Sequence, residues 1–256
     1  MDRLIVTGAA RGIGRYVCER LGGLGLTRAT VPGYLAATPG GAGEDLIIHC
    51  AYDSSKSVPE PRVHAHFADT IGLTERLLAV PHRAFVFFSS VDVYARDGAI
   101  KTEEDTIVAG DALSPYSYSK LVCEALVRQR ARRWLIVRPV QMLGDGRRNI
   151  VARIMAGDPD RLPLTAASVL NCVLYEDVAA FVERALEEEL TGTFNLAASR
   201  NATLAEIASA FGRTPAFGEA FYDIGLVSNQ KATAIVPAFG RTTIENLSRQ
   251  FGMPVR

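Results

Sequence analysis

Residues 4–14 constrain the fold of this chain more than any other stretch. Leu4-Ile5-Val6 reads as a short apolar strand, and Thr7-Gly8-Ala9-Ala10-Arg11-Gly12-Ile13-Gly14 follows as a glycine-rich turn. Ile13, Val17, Leu21 and Leu24 then recur at helical spacing. A strand that runs through such a turn into a helix opens a parallel α/β sheet and offers an anion the unpaired N–H groups of a helix N-terminus. Gly8 permits a tight turn, Gly12 lets backbone approach a pyrophosphate, and Gly14 allows close helix–sheet packing. The turn therefore predicts a dinucleotide site that includes Gly8, Arg11, Gly12, Ile13 and Gly14. A glycine turn without a ligand is the competing reading.

The rest of the first half keeps the alternation. A second strand is predicted over 26–31, ended by Pro32-Gly33, with a flexible Gly/Pro/Ala stretch over 37–43. LIIHC (46–50) is a buried strand, 63–79 a helix, and AFVFFSS (84–90) a strand suited to a sheet covered on both faces. A long loop precedes a helix over 116–132 and a strand over 134–138. The pattern predicts a Rossmann-like α/β fold, with a parallel sheet flanked by helices. After Arg138-Pro139 it becomes mixed, with helices near 149–156, 177–189, 203–211 and 241–251 and a strand at Phe194-Asn195-Leu196. Thr203 with Glu206 three residues on resembles a capping box. The predicted organisation is a dinucleotide-binding core over 1–140 and a small mixed C-terminal substrate lobe over 141–256, lying over the carboxyl end of the sheet. That lobe crosses back to the core, so no clean boundary is expected.

At 256 residues the chain is long enough for one substantial core. Lys and Arg balance Asp and Glu at 28 each, which argues against a broad nucleic-acid or anionic-membrane surface. Cys18, Cys50, Cys123 and Cys172 are scattered without metal-like spacing, and they read as buried thiols in a reducing compartment. With neither a basic leader nor a long apolar run, a cytoplasmic protein is expected, with no metal, membrane or nucleic-acid partner.

A ribose-binding acid is expected where the second strand ends, but Val31-Pro32-Gly33 supplies none. The usual argument for NAD is therefore missing. Arg11 and Arg28 could approach a 2′-phosphate, which tilts the choice between NADP and NAD toward NADP, although either arginine serves equally well on a surface.

Chemistry is concentrated at Pro115-Tyr116-Ser117-Tyr118-Ser119-Lys120. Tyr116 and Lys120 lie four apart on one helix face, so an ammonium sits beside a phenol and favours the phenolate. Such a tyrosine can protonate a carbonyl oxygen or deprotonate an alcohol. Tyr118 has Val122 at the same spacing and lacks that partner. Ser89 and Ser90 end a strong strand on the side where open α/β sheets bind ligands, and Ser90 could donate to the substrate oxygen. Turn capping is the alternative role for these serines.

With these features in view, the chain resembles the short-chain dehydrogenase/reductase superfamily, and its later motifs resemble the extended branch, the NAD-dependent epimerase/dehydratase family. The resemblance is carried by TGAARGIG (7–14), LIIHCAY (46–52), FFSSVDVY (87–94), PYSYSK (115–120), RPVQMLGDG (138–146) and LYEDVA (174–179). It implies that Ser90, Tyr116 and Lys120 are catalytic, with Tyr116 and Lys120 also touching the cofactor. It implies that Cys50 and Ala51 pass the cofactor phosphates, and that Pro139 and Val140 lie near the nicotinamide. Gln141 stands where the family often has an Asn that touches a substrate phosphate. Asn149 and Arg153, one helical turn apart, are further substrate candidates, with Arg147 and Arg148 as alternatives; a solvated helix face is the competing reading for these basic residues. A homodimer through the helices 63–79 and 116–132 would fit the family.

Three departures from the family pattern stand out. The glycine spacing is that of the classical branch. About a dozen residues join the second strand to LIIHC, where the family places another helix and strand. The sheet is therefore expected to lack a strand, or to keep it in irregular form, leaving the adenine side more open. Asp69 falls where an Asn commonly supports the middle of the sheet. Val91 and Asp92 follow Ser90 where dehydratases carry an Asp-Glu pair, which disfavours dehydration. The expected function is NAD(P)-dependent reduction of a ketone, on a small molecule such as a nucleotide-linked sugar. A nucleotide-sugar epimerase and a non-catalytic dinucleotide-binding regulatory or scaffold protein are the alternatives.

Overall fold

The computed structural model describes residues 3–37, 44–51, 58–111, 114–144 and 149–255, with only the backbone of 44, 45 and 111. Arg147 and Arg148 lie outside the described residues. In chain order the first elements are β1 (Leu4–Thr7), α1 (Gly12–Leu21), β2 (Leu24–Leu26), α2 (Val31–Ala37) and β3 (Glu44–His49). Next come α3 (Val63–Phe67), a π turn (Ala68–Gly72), α4 (Leu73–Leu78), β4 (His82–Phe88), β5 (Ile100–Lys101), α5 (Pro115–Arg130) and β6 (Trp134–Pro139). The remainder is β7 (Gln141–Leu143), α6 (Ile150–Ala156), β8 (Val169–Leu170), β9 (Cys172–Leu174), α7 (Tyr175–Glu187) and β10 (Gly192–Leu196). Then follow β11 (Ala202–Thr203), α8 (Leu204–Ala210), β12 (Leu226–Val227), α9 (Gln230–Ile235) and α10 (Thr243–Phe251). No helix of the described residues is long and apolar enough to cross a membrane.

The chain divides into two compact units. The first comprises Met1–Ala95, Glu103–Arg138 and Val182–Phe194. Its framework is a Rossmann-like sheet of six strands in the order β10-β6-β4-β3-β1-β2, parallel from β6 to β2 in that order. In the register, Ile5 faces Ile47, Ile47 faces Phe85 and Phe87 faces Ile136. Because side chains alternate along a strand, Ile5, Ile47, Phe85, Phe87 and Ile136 share a face, packed with Leu77, Cys123 and Val127 of α4 and α5. Val6, Ile48, Val86 and Phe88 are buried at the alternate positions. A sheet covered on both faces explains the continuous apolar runs in the sequence.

The second strand differs from expectation. It spans only Leu24–Leu26, and 31–37 is helical. Pro32 does not break this segment because it lies in the first helical turn, where no intrahelical N–H is required. Thr27 and Thr30 organise the turn before it: Thr27 N–H donates to Thr30 Oγ1 at 2.9 Å, and Val31 N–H donates to the Thr27 carbonyl at 3.0 Å. Among the described residues no strand lies beyond β2, which is the edge of the sheet on this side. The expected shortening takes the form of β2, α2 and then β3 on the opposite side of β1.

The second unit comprises Arg96–Thr102, Pro139–Phe181 and Asn195–Arg256. Short strand pairs, β7 with β9 in parallel and β8 with β11 antiparallel, surround a core of Val151, Ile154, Leu170, Leu174, Leu204, Ile207, Phe211 and Leu247. The Thr203–Glu206 capping box is present, with Thr203 Oγ1 accepting from Glu206 N–H at 3.0 Å. Three of the four cysteines are buried free thiols as expected, whereas Cys18 is partly exposed.

Candidate active site

The glycine turn carries the stereochemistry that its residues predict. Gly8 and Gly12 have φ of 76° and 65°, a region that favours glycine. A Cβ on Gly14 would lie 2.5 Å from the Gly8 carbonyl oxygen, so only glycine lets α1 start this close to the turn. A Cβ on Gly8 would meet Ala51 N at 3.0 Å, which places the Cys50-Ala51 segment directly against the turn. Arg11 is the exposed residue preceding α1, and Ile13 is buried beneath it. This close approach of bare backbone at a ten-residue helix start fits a pyrophosphate.

A directed hydrogen-bond chain braces that segment. Ala51 N–H donates to Thr7 Oγ1 at 3.2 Å, and Thr7 Oγ1 lies 2.7 Å from His49 Nδ1. On the other ring edge His49 Nε2 lies 3.0 Å from Thr74 Oγ1, which donates to the Thr70 carbonyl at 2.9 Å. Since Thr74 donates its proton to Thr70, His49 must donate from Nε2 and accept at Nδ1. Burial, aided by the nearby Lys120 charge, pushes the His49 pKa down to about 3, so the imidazole is neutral.

After β2 come Thr27 and Arg28, and Arg28 forms an exposed ion pair with Asp69 of the π turn. Asp69 is thus at the surface rather than supporting the middle of the sheet. The residues following β2 include no acid, and the one arginine among them is a candidate for a 2′-phosphate.

Ser89 and Ser90 leave the carboxyl end of β4, and Tyr116 and Lys120 occupy successive turns of α5. Ser114 starts that helix by accepting from Ser117 N–H at 3.2 Å, with Pro115 in the first turn. Ser90, Tyr116 and Lys120 are all buried. Lys120 Nζ donates to the Phe88 carbonyl at 2.7 Å and lies 5.9 Å from the centroid of the Tyr116 ring. Burial lowers the Lys120 pKa to about 8, against the raising effect of Cys123, Cys50 and Glu124. Ser90 Oγ donates to Asp92 Oδ2 and accepts from Asp92 N–H, both at 3.2 Å, so it also caps the short 3-10 turn Val91–Val93. Tyr118 projects outward beside Phe67, with ring centroids 5.8 Å apart.

Sequence reasoning missed the cluster behind these residues. Glu124 Oε1 accepts from Ser89 Oγ at 2.6 Å and from Arg138 Nε at 2.8 Å. Its Oε2 accepts from Arg138 Nη2 at 2.6 Å and from Arg128 Nη2 at 2.8 Å. Arg138 Nη1 also donates to Tyr94 Oη at 2.7 Å. Burial would raise the Glu124 pKa, but the bonds and charges of Arg138, with Ser89 and Arg128, hold it below the usual carboxylate range. Lys120, Glu124 and Arg128 at four-residue spacing were a legible signal; the pairing with Arg138 across the fold was not.

The remaining candidates belong to the second unit, apart from Ser90 and the core residues above. Pro139, the last residue of β6, and Val140 after it are buried, with Val140 N–H donating to the Leu196 carbonyl at 3.1 Å. Gln141 pairs with Cys172 in the β7–β9 register. Asn149 caps α6, its Oδ1 accepting from Ala152 N–H at 2.9 Å. Arg153 donates to Asp158 Oδ2 at 2.9 Å and to the Asp160 carbonyl at 3.2 Å. Asn149 and Arg153 therefore both have structural partners.

A profile described as "NAD dependent epimerase/dehydratase family" matches residues 41–197, more than half of the chain. The chain belongs to the NAD-dependent epimerase/dehydratase family. The matched stretch begins after the glycine turn, within the shortened link that leads to β3. No curated protein matches the sequence. Among solved structures, the chain is similar to a dTDP-4-dehydrorhamnose reductase ortholog from Clostridium acetobutylicum, with 17% identity, a TM-score of 0.77 and 98% of each chain covered. It is also similar to a UDP-glucuronic acid 4-epimerase from Bacillus cereus, solved with UDP-glucuronic acid and NAD, at 15% identity, TM-score 0.75 and 98% of each chain. A putative epimerase from Burkholderia cenocepacia matches at 20% identity and TM-score 0.74, covering 98% of this chain and 97% of that one. At such identities the likeness establishes the fold of this family member.

Proposed function

We propose that this family member catalyses reversible hydride transfer between a nicotinamide dinucleotide and a carbonyl/alcohol carbon, with a nucleotide-linked sugar as the substrate class. The observation that carries the reading is the buried Tyr116–Lys120 pair at the carboxyl end of β4, with the lysine pKa lowered to about 8. A buried ammonium beside a phenol favours the phenolate and gives Tyr116 its acid/base role. Tyr116 Oη gives a proton to the substrate oxygen in the reductive direction and takes it back in the other. Ser90 Oγ, now shared with Asp92, donates to the same oxygen. The dinucleotide, when bound, supplies or accepts the hydride. Gly8, Gly12, Gly14, Cys50 and Ala51 would hold its pyrophosphate side, and Lys120 its nicotinamide ribose.

The substrate class is supported by the named activities of the similar reductase and epimerase. Reduction is favoured over epimerisation by the lack, among the described residues, of a strand beyond β2, since an epimerase keeps its cofactor through the cycle while a reductase exchanges it. NADP is favoured by Arg28 after β2 and by the lack of an acid there. Native mass spectrometry of gently purified protein, followed by turnover with added NADPH or NADH on nucleotide-linked ketosugars, tests the reading. Empty protein that binds NADPH and turns over is expected; retained NAD would replace reduction by epimerisation. Tyr116→Phe should lose about 10²–10⁴-fold in turnover. Full turnover in that variant, or cofactor binding without turnover on any such substrate, refutes the proposal.

A further inference from the structure

The Glu124 cluster ties α5 to the end of β4, the two elements that carry the proposed proton-transfer residues. The end of β4 is clamped to α5 by two consecutive bonds: the Phe88 carbonyl accepts from Lys120, and Ser89 Oγ donates to Glu124 one helical turn later. Ser90 is the next residue. With Ser89 and Arg138 Nε on one oxygen and Arg138 and Arg128 on the other, all four acceptor sites of the carboxylate are filled. A carboxyl proton would have to displace one of these donors, so the group is held ionised and in one orientation.

We propose that Glu124 is the positioning residue of this site: anchored by Arg138, it pins Ser89 against α5 and sets its carboxylate one helical turn from the buried Lys120 ammonium. This rests on the reading of Tyr116 and Lys120 as the proton-transfer pair. The groups around Lys120 include Phe87 and the Phe88 carbonyl from β4, His49 and Cys50 from the β3 side, and Tyr116, Cys123 and Glu124 from α5. His49 is neutral, and burial holds the Cys50 and Cys123 thiols in their protonated form. Of the three groups that raise the lysine pKa, Glu124 is therefore the one carrying charge near neutral pH. Around Glu124 itself stand Ser89 from β4, Arg138 from β6 and Arg128 from its own helix.

The test needs neither substrate nor cofactor. The chain's lysines are Lys56, Lys101, Lys120 and Lys231, so lysine-selective isotope labelling gives a simple NMR spectrum. The Lys120 signal is assigned by its loss in Lys120→Met and followed from pH 6 to 10. In Glu124→Gln the Lys120 midpoint should fall from near 8 by about half a unit or more, since a charge is removed one helical turn away at a buried site. If the stranded Arg138 prevents folding, Glu124→Gln/Arg138→Gln removes that unpaired guanidinium. A downward shift is expected there too, smaller because the guanidinium leaves together with the carboxylate it pairs with. A Lys120 midpoint unchanged in either folded variant overturns the inference. A protein that shows the shift yet lacks turnover would overturn the proposed function and leave this role of Glu124 standing.

Discussion

Replacing Lys120 by Met should change how stability depends on pH. Lys120 is buried, and its pKa falls from the ordinary 10.5 to about 8, chiefly through burial. Between those values the unfolded chain keeps the lysine proton and the folded chain releases it. The unfolded state thus binds more protons, and stability rises with pH across the window. Below pH 8 both states are charged, and the fold carries the full cost of burying the ammonium. A shift from 10.5 to about 8 corresponds to about 3 kcal/mol, most of which, about 2–3 kcal/mol, is recovered between pH 7 and 10. The Met variant lacks this term, and His49, whose pKa the lysine charge also lowers, is already neutral in the native fold across this window. It also leaves the Phe88 carbonyl without its lysine donor, so the absolute offset between the proteins mixes two effects. The slope of their difference does not. Urea unfolding of both proteins at intervals from pH 7 to 10 should show the native protein gaining about 2–3 kcal/mol on the variant. A difference that stays flat, or runs the other way, refutes the assignment of a buried, downshifted lysine.

Other residues give independent checks. His49 has its pKa lowered to about 3, so its contribution is complete above pH 6.5 and is lost as pH falls toward 3. His49→Leu should flatten the acid limb of the stability profile, by on the order of 4–5 kcal/mol over that window, read by acid titration of the circular dichroism signal. Gly14→Ala forces a Cβ against the Gly8 carbonyl and should cost about 1–3 kcal/mol and weaken dinucleotide binding, measured by denaturation and calorimetric titration. Gly33→Ala, in α2 with no atom within 4 Å of the added carbon, should instead stabilise by about 0.5–1 kcal/mol. Arg138→Ala leaves Glu124 without its bidentate partner in the core and should cost about 3–5 kcal/mol in denaturant unfolding at pH 7.

Local pattern alone determined a good deal here. The glycine turn, the buried runs at 46–50 and 84–88 and the Tyr116–Lys120 spacing are short-range features, and the chain carries them in adjacent residues. Periodicity is enough for such features because it follows from the geometry of one helix or strand. It failed at 31–37, where Pro-Gly resembles a stop, although proline costs nothing in a first helical turn.

Tertiary structure decided what depends on partners distant in sequence. It joined Glu124 to Ser89 and Arg138, sent Asp69 to the surface with Arg28, and set His49 between Thr7 and Thr74. Arg153, a substrate candidate or a residue of a solvated helix face by sequence, forms an ion pair with Asp158. The physical reason is that a charge or hydroxyl acquires its role from what surrounds it after folding. A buried carboxylate with four donors and a solvated one are the same letter in the sequence, and only the packed strands and helices distinguish them.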